Sequence, residues 1–196
     1  MTAPLVLVTG FGAFLDVERN PSGEIARLLE AEPPEGCRVR GIELPVTFDG
    51  APAAIAEELE RLGETPVLLL GTGVHRGPCF RLERQARGNL KSDKPDNSGR
   101  IAGAEGIAIG EDLATEFDLE GLVPLLEAPE LESVMLSEDA GGYVCERTYH
   151  ALLTEAGARS IPALFLHVLS LQFMESERQA GYARALVAEL IRRTTA

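Results

Sequence analysis

The chain is predicted to be an α/β protein: a single-domain, three-layer α/β/α sandwich around a mostly parallel, twisted central sheet. Three observations carry this expectation. Continuous apolar runs at residues 5–8, 67–70 and 161–168 suit strands that are covered on both faces. Segments between them repeat apolar residues at helical spacing, as with Ile55, Leu59 and Leu62. No repeat, low-complexity tract or linker divides the 196 residues, so 1–196 is read as one domain with room for a sizeable core.

Each element follows from local pattern. Residues 5–8 form a first buried strand, and Phe11-Gly12-Ala13-Phe14 follows as a loop. Asn20-Pro21-Ser22 opens a helix, with Asn as N-cap, Pro at the first helical position, and Ile25, Leu28 and Leu29 facing inward. Residues 37–44 read as a second, more exposed strand. Residues 51–62 form an amphipathic helix that stops at Gly63. The strand at 67–70 runs into a Gly-rich loop at 71–77, and 80–87 is a further strand carrying Glu83. Residues 91–106 hold hardly any large apolar residue besides Ile101 and are read as a long mobile loop. After a helical patch at 122–127, residues 134–136 suit a short buried strand. Gly141 and Gly142 then permit a tight turn. A helix starts near Tyr143, carries Val144, Thr148 and Leu152 on one face, and stops at Gly157. The last strand is 161–168, followed by a helix with Tyr182, Leu186 and Leu190 aligned.

Composition narrows the function. Apolar residues are 45% and charged ones 25%, ordinary for a soluble globular protein. No apolar run approaches the roughly 20 residues that span a bilayer. No basic segment leads into an apolar stretch at the N-terminus, so no signal peptide is expected. The net charge of −13 argues against nucleic-acid and anionic-membrane partners, whose binding needs clustered Lys and Arg. Cys37, Cys79 and Cys145 are too scattered for a disulfide framework, which makes a reducing cytoplasm the expected compartment.

In open α/β sheets, ligands sit beyond the carboxyl ends of the strands. That rule gathers Phe11, Phe14, the 71–77 loop, the turn before Cys145, and His167 on one rim. Cys145 falls in the first turn of its helix, where unpaired backbone N–H groups and the helix dipole favour a thiolate. The alternative for Cys145 is a small apolar side chain in the core. A cysteine nucleophile needs a base and a group to orient that base. His150 lies five residues after Cys145, about 140° around the helix axis, and is expected at the surface. His167 ends a buried strand and is favoured over His75 in the Gly-rich loop; the alternative for His167 is an imidazole satisfied within the core. Glu83 stands out among 31 acidic residues because its neighbours suggest a strand entering the core, where a carboxylate must be paired. From the residues alone the reading is a Cys/His/Glu thiol hydrolase of unknown substrate.

Four segments carry a resemblance. They are Val8-Thr9-Gly10-Phe11-Gly12-Ala13-Phe14 with Asn20-Pro21-Ser22; Phe80-Arg81-Leu82-Glu83-Arg84, with Pro95-Asp96-Asn97 twelve residues after Glu83; residues 137–145, ending Gly141-Gly142-Tyr143-Val144-Cys145; and Leu164-Phe165-Leu166-His167-Val168. In this order and spacing the chain resembles the type I pyroglutamyl peptidases (pyrrolidone-carboxylate peptidases) along nearly its whole length. The resemblance implies Cys145 as nucleophile, His167 as base and then acid, and Glu83 as the group orienting the imidazole. It implies removal of N-terminal pyroglutamyl residues from peptides through a thioester, without metal or cofactor. Phe11 and Phe14 would hold the lactam ring, backbone near Thr72 would accept its N–H, and Asn20 and Val144 complete the implied substrate site. The resemblance also implies a homo-oligomer, dimer or tetramer.

The chain departs from that pattern at several points. Ala13 stands where the family has Pro, Glu146 where it has Asn, and Asp93 where it has an arginine, with Lys94 and Arg87 as nearby substitutes. Leu169-Ser170-Leu171 replaces a Pro-rich segment, and the stretch between Gly71 and Glu83 is one residue longer. Two other functions fit the same fold class: a lactam-binding protein that has lost catalysis, and a phosphate- or nucleoside-handling enzyme using residues 71–77. That stretch lacks the lysine and spacing of a P-loop.

Overall fold

A computed structural model of the chain describes residues 3–14 and 17–194. Its central sheet begins with β1 (Leu5–Phe11), in which every residue is buried. Helix α1 (Pro21–Ala31) follows, with Asn20 as its N-cap, and then β2 (Arg38–Leu44) and α2 (Gly50–Arg61). Next come β3 (Leu68–His75), β4 (Arg81–Glu83), β5 (Gln85–Ala86) and β6 (Asn89–Ser92). β7 (Gly103–Ala108), β8 (Leu113–Ala114) and a 3-10 helix (Glu120–Leu125) lead to β9 (Met135–Ser137). Helix α3 (Val144–Arg159), β10 (Ala163–Leu169) and α4 (Ser176–Thr194) complete the order.

Six strands form one sheet in the order β2-β1-β3-β10-β4-β9. β2, β1, β3 and β10 are mutually parallel; β4 is antiparallel to β10, and β9 pairs parallel to β4. Strand alternation divides the core in two. Val6, Val8, Leu68, Leu70, Leu164 and Leu166 point to a cluster with Ile25 and Leu29 of α1 and with Leu186 and Leu190 of α4. Leu7, Phe11, Leu69 and Phe165 point the other way, to Ile55 and Leu59 of α2 and to Val144 and Leu152 of α3. This is the expected α/β/α sandwich with a mostly parallel sheet. Among the described residues no helix is long and apolar enough to cross a membrane.

Several local expectations are corrected. The Gly-rich stretch after Leu70 is largely strand: β3 continues to His75, pairing Gly71 with Phe165, Thr72 with Leu166 and Gly73 with His167. The fully buried neighbour β10 supplies the ladder and outweighs glycine's weak strand preference. Residues 91–106 are not one long loop, because β6 and β7 form an antiparallel pair with a register shift between Leu90 and Ser92. The connection between them is pinned by Asp96, whose carboxylate accepts from the backbone N–H of Phe48, Ser98 and Arg100. β9 is an edge strand with Met135 49% exposed, not a buried one. The expected strand at 80–87 splits into β4 and β5, where the Arg84 N–H turns to the Ser137 carbonyl and the Arg84 carbonyl to the Thr115 N–H. The patch expected at 122–127 is the 3-10 helix, with Pro124 inside it. α3 runs past Gly157 to Arg159 and ends on Ser160 in the left-handed region at φ 54°.

Helix α1 lies close against the sheet because Gly41 on β2 has no side chain. A Cβ there would stand 2.1 Å from the Ala26 carbonyl oxygen of α1. Gly41→Ala must therefore push backbone from backbone and is expected to cost about 2–3 kcal/mol, read as a lower urea midpoint with an unchanged slope; an unaltered midpoint would contradict the packing described.

Candidate active site

A cavity of about 600 Å³ opens beyond the carboxyl ends of β1, β3 and β10. Cys145 and His167 both line it. The chain reaches Cys145 through a turn in which Gly141 (φ 100°) and Gly142 (φ 64°) adopt the left-handed region. The second glycine also meets β6 closely, since a Cβ on it would stand 2.5 Å from the Lys91 carbonyl oxygen. Tyr143 is the N-cap in extended conformation, so Cys145 is the second residue of α3.

Sheet register sets the sulfur and the imidazole on neighbouring strands. Cys145 Sγ lies 2.8 Å from where a Gly73 Cβ would stand, so the sulfur sits over the bare backbone of β3. Gly73 is the register partner of His167 on β10. Neighbouring strands are about 4.8 Å apart, and His167 shares the α3-facing side of β10 with Phe165, its ring 5.0 Å from that ring. Gly71, one step back, makes room for Phe165, which a Cβ would approach to 2.4 Å. Two missing side chains thus seat helix α3, its cysteine and the ring beneath it.

Glu83 is fully buried at the end of β4 and pairs with Phe165 in the antiparallel register. Its Oε1 is 2.7 Å from His167 Nδ1. A carboxylate only accepts, so Nδ1 carries the proton in the neutral ring and Nε2 is left as the acceptor. Tyr149 of α3 donates from its hydroxyl to the Glu83 backbone carbonyl at 2.9 Å, tying this strand end to the helix that carries Cys145.

The other two histidines are engaged elsewhere. His75 also lines the cavity, its ring 5.9 Å from that of His167. Its Nδ1 accepts from the Gly77 N–H at 3.2 Å, which leaves Nε2 to donate to the Cys79 carbonyl at 2.5 Å. Burial, against that hydrogen bond, pushes its pKa down to about 4. His75 has no ring nitrogen left to act as a base. His150 is not at the surface as expected: it is buried, with Nε2 2.9 Å from the Glu111 carbonyl, because the β7–β8 connection at Gly110 and Glu111 covers it.

The expected low cysteine pKa is also corrected. Burial first, then the Glu83 and Glu146 carboxylates, push the Cys145 thiol up to about 12. Glu146, the next residue, is fully buried and accepts from the Gly142 N–H at 3.1 Å and the Arg87 N–H at 2.8 Å. It sets a negative charge at the helix end whose dipole favours the thiolate, so at rest the sulfur holds its proton.

The expected substrate residues divide. Phe11, Phe14, Asn20 and Val144 line the cavity, and Phe14 is fixed by paired backbone hydrogen bonds with Val17 despite Ala13 beside it. Asn20 spends its polar atoms on structure: Nδ2 donates to the Gly12 carbonyl, and Oδ1 accepts from Ser22 N–H and hydroxyl. Thr72 is fully buried and is not among the cavity's lining residues; its hydroxyl donates to the Thr9 carbonyl at 2.8 Å, while Val74 and His75 further along β3 do line it. Of the two proposed substitutes for the missing arginine, Lys94 lines the cavity. Arg87 is instead paired with Glu146 and Asp139. Sequence reasoning passed over Arg81, which also lines the cavity. Its place two residues before Glu83 puts it on the same face of β4, a period-two signal that depended on recognising the strand.

The family described as pyroglutamyl peptidase matches residues 5–179. A pyrrolidone-carboxylate peptidase of Thermococcus kodakarensis is 35% identical over 170 residues, covering 83% of this chain and 80% of that protein. Another, of Saccharolobus islandicus, is 31% identical over 166 residues, covering 83% and 78%. The crystal structure of pyrrolidone carboxyl peptidase from Pyrococcus furiosus shares the fold with a TM-score of 0.87 at 21% identity, over 97% of this chain and 99% of that one. Pyroglutamyl peptidase I of Bacillus amyloliquefaciens does so with a TM-score of 0.84 at 20% identity, over 94% and 93%. With that family match, and relatives 31% and 35% identical over 83% of its length, the chain belongs to the pyroglutamyl peptidase family.

Proposed function

We propose that this protein is a cysteine-type omega peptidase that hydrolyses the amide bond following an N-terminal pyroglutamyl residue. The observation that carries the reading is the seating of Cys145 Sγ over Gly73, the register partner of His167, whose ring Nδ1 is held by Glu83. Family membership names the substrate class for which that arrangement serves.

As substrate enters, His167 Nε2 takes the thiol proton while sulfur attacks the pyroglutamyl carbonyl carbon. The developing oxyanion is stabilised at the start of α3, whose first amides have no acceptor within the helix. The imidazolium, paired with Glu83, gives its proton to the leaving peptide amine, and a thioester remains on Cys145. Water activated by Nε2 then releases pyroglutamate and restores the thiol. A thiol held near pKa 12 calls for transfer to His167 during attack, rather than a standing thiolate.

Specificity follows from the walls. Phe11, Phe14, Val46 and Val144 offer apolar surface to an uncharged ring. A charged amino terminus would lose its water there without a partner. The chain's three cysteines are unpaired, in keeping with a cytoplasmic setting, and the family resemblance supports a dimer or tetramer, which sedimentation of the intact protein measures. A phosphate-binding role for residues 71–77 has little to rest on, because most of that stretch is strand β3 and leads to β4 rather than into a helix N-terminus.

Cys145→Ala is expected to abolish release from a chromogenic pyroglutamyl amide, by at least about 10³-fold in kcat/KM, with alanyl amide untouched by either protein. A Cys145→Ala variant at wild-type rate would end the proposal. Gly73→Ala displaces the sulfur, and a misplacement of that order is expected to lower kcat about 100-fold without loss of the folded far-UV spectrum; a wild-type kcat would contradict the seat. Alkylation of resting enzyme by iodoacetamide is expected to accelerate about tenfold per pH unit from about pH 7 to 9. A plateau reached below about pH 7 would instead reveal a preformed thiolate.

A further inference from the structure

We propose that Arg81 is a positioning residue, whose guanidinium couples the orienting carboxylate of Glu83 to the turn that delivers the nucleophile. The inference rests on the peptidase reading above and adds a residue to it. Arg81 Nη2 lies 3.4 Å from Glu83 Oε1. The same nitrogen donates to Ser137 Oγ at 2.5 Å and to the Asp139 carbonyl at 2.8 Å. Those two residues open the turn into α3: the Ser137 hydroxyl accepts from the Asp139 N–H, and the Asp139 carboxylate from the Gly141 N–H.

The charge at this point has a specific task. Glu83 is fully buried, its Oε2 has no hydrogen-bond partner, and its ion pairs among the described residues are with Arg81 and His167. A carboxyl so placed prefers the neutral form unless an opposite charge stands near. A protonated carboxyl could instead donate to Nδ1, which would leave the ring proton on Nε2, the atom that must receive the thiol proton. His75 from β3 and Cys145, Glu146 and Tyr149 from α3 also face the pair, and Arg76 and Lys94 stand in the same cavity wall. Arg81 is the cation that stands within ion-pair distance of Glu83.

Stability alone does not account for the residue. Arg81 Nε is buried without a partner, and half-buried guanidinium groups on a strand are readily outdone by apolar side chains of similar volume. The cost is explained by what Nη2 joins, Glu83 on β4 and the approach to Cys145. It also stands in the cavity wall of a chain that has Asp93 at the position of the family arginine.

The test compares wild type with R81M and R81K, using imidazole nitrogen spectra and pH–rate profiles. In wild type the His167 ring is expected to be neutral and protonated at Nδ1 near neutral pH; in R81M the Nε2-protonated form gains population at the same pH. This spectrum needs no turnover, so it tests Arg81 even if wild type fails to hydrolyse pyroglutamyl amide, a failure that would count against the proposed function alone. On active enzyme, R81M is expected to lose about 10- to 100-fold in kcat with little change in KM, and the acid limb of kcat/KM to move up by about one pH unit. R81K restores the limb through its charge but only part of kcat, because its ammonium stands on a shorter stem that does not reach Ser137 and Asp139 as Nη2 does. Imidazole spectra identical in wild type and R81M, or an R81M acid limb and kcat equal to wild type, would overturn the inference. Should R81M not fold, R81K decides alone: kcat reduced with an unchanged limb supports it, and wild-type kcat overturns it.

Discussion

Helix α3 can lay Cys145 against β3 only because Gly71 and Gly73 carry no side chains. A methyl group at either position would meet Phe165, and at Gly73 it would also meet the sulfur. The parallel β3–β10 register then decides what the sulfur meets next, because it pairs Gly73 with His167 and no other residue. A shift by one residue would turn His167 to the opposite core, among Leu164 and Leu166. The large apolar residues packed between sheet and helices on both faces hold that register, so the core and the site are one construction.

Electrostatics at the site are a balance rather than a simple activation. The start of α3 favours anions, yet the buried Glu146 takes up the Gly142 N–H there and stands beside the sulfur. Glu83 adds a second negative charge within reach. Both carboxylates push the thiol pKa up, and in the proposed mechanism Glu83 stabilises the imidazolium that forms during attack. The arrangement therefore rewards the charge distribution of the reaction more than that of the resting enzyme, which is where binding energy accelerates a step. Arg87, drawn from between β5 and β6, keeps Glu146 paired and the turn at Gly142 in place.

Much of this was legible in the sequence, for identifiable reasons. β1 and β10 announce themselves by the apolar runs 5–8 and 163–166, and α1 by its Asn20-Pro21 start. Glu83 could be picked from many acids because its neighbours are apolar. The second half of β3 was hidden because glycine reads as a turn when its ladder partner, 94 residues away at His167, is unknown. β6 and β7 were hidden because their polar residues are held by long-range pairing and by Asp96, whose bond to Phe48 spans 48 residues. The raised thiol could not be foreseen from the helix start alone: Glu146 is buried only because Arg87, 59 residues earlier, meets it. Asn20 illustrates the same limit in reverse, since its cap was visible while the full engagement of its amide with Gly12 and Ser22 was not.

The claim on which the account stands is that Cys145, seated over Gly73, becomes acylated by the pyroglutamyl group. Acid quenching during turnover of a pyroglutamyl ester, followed by mass analysis of the digested protein, tests it directly. The expected result is a pyroglutamyl adduct confined to the peptide containing Cys145 and lost on incubation at neutral pH. Burst kinetics with the adduct on another residue, or turnover with no adduct on Cys145 under conditions where release of the acyl group is rate-limiting, would contradict it.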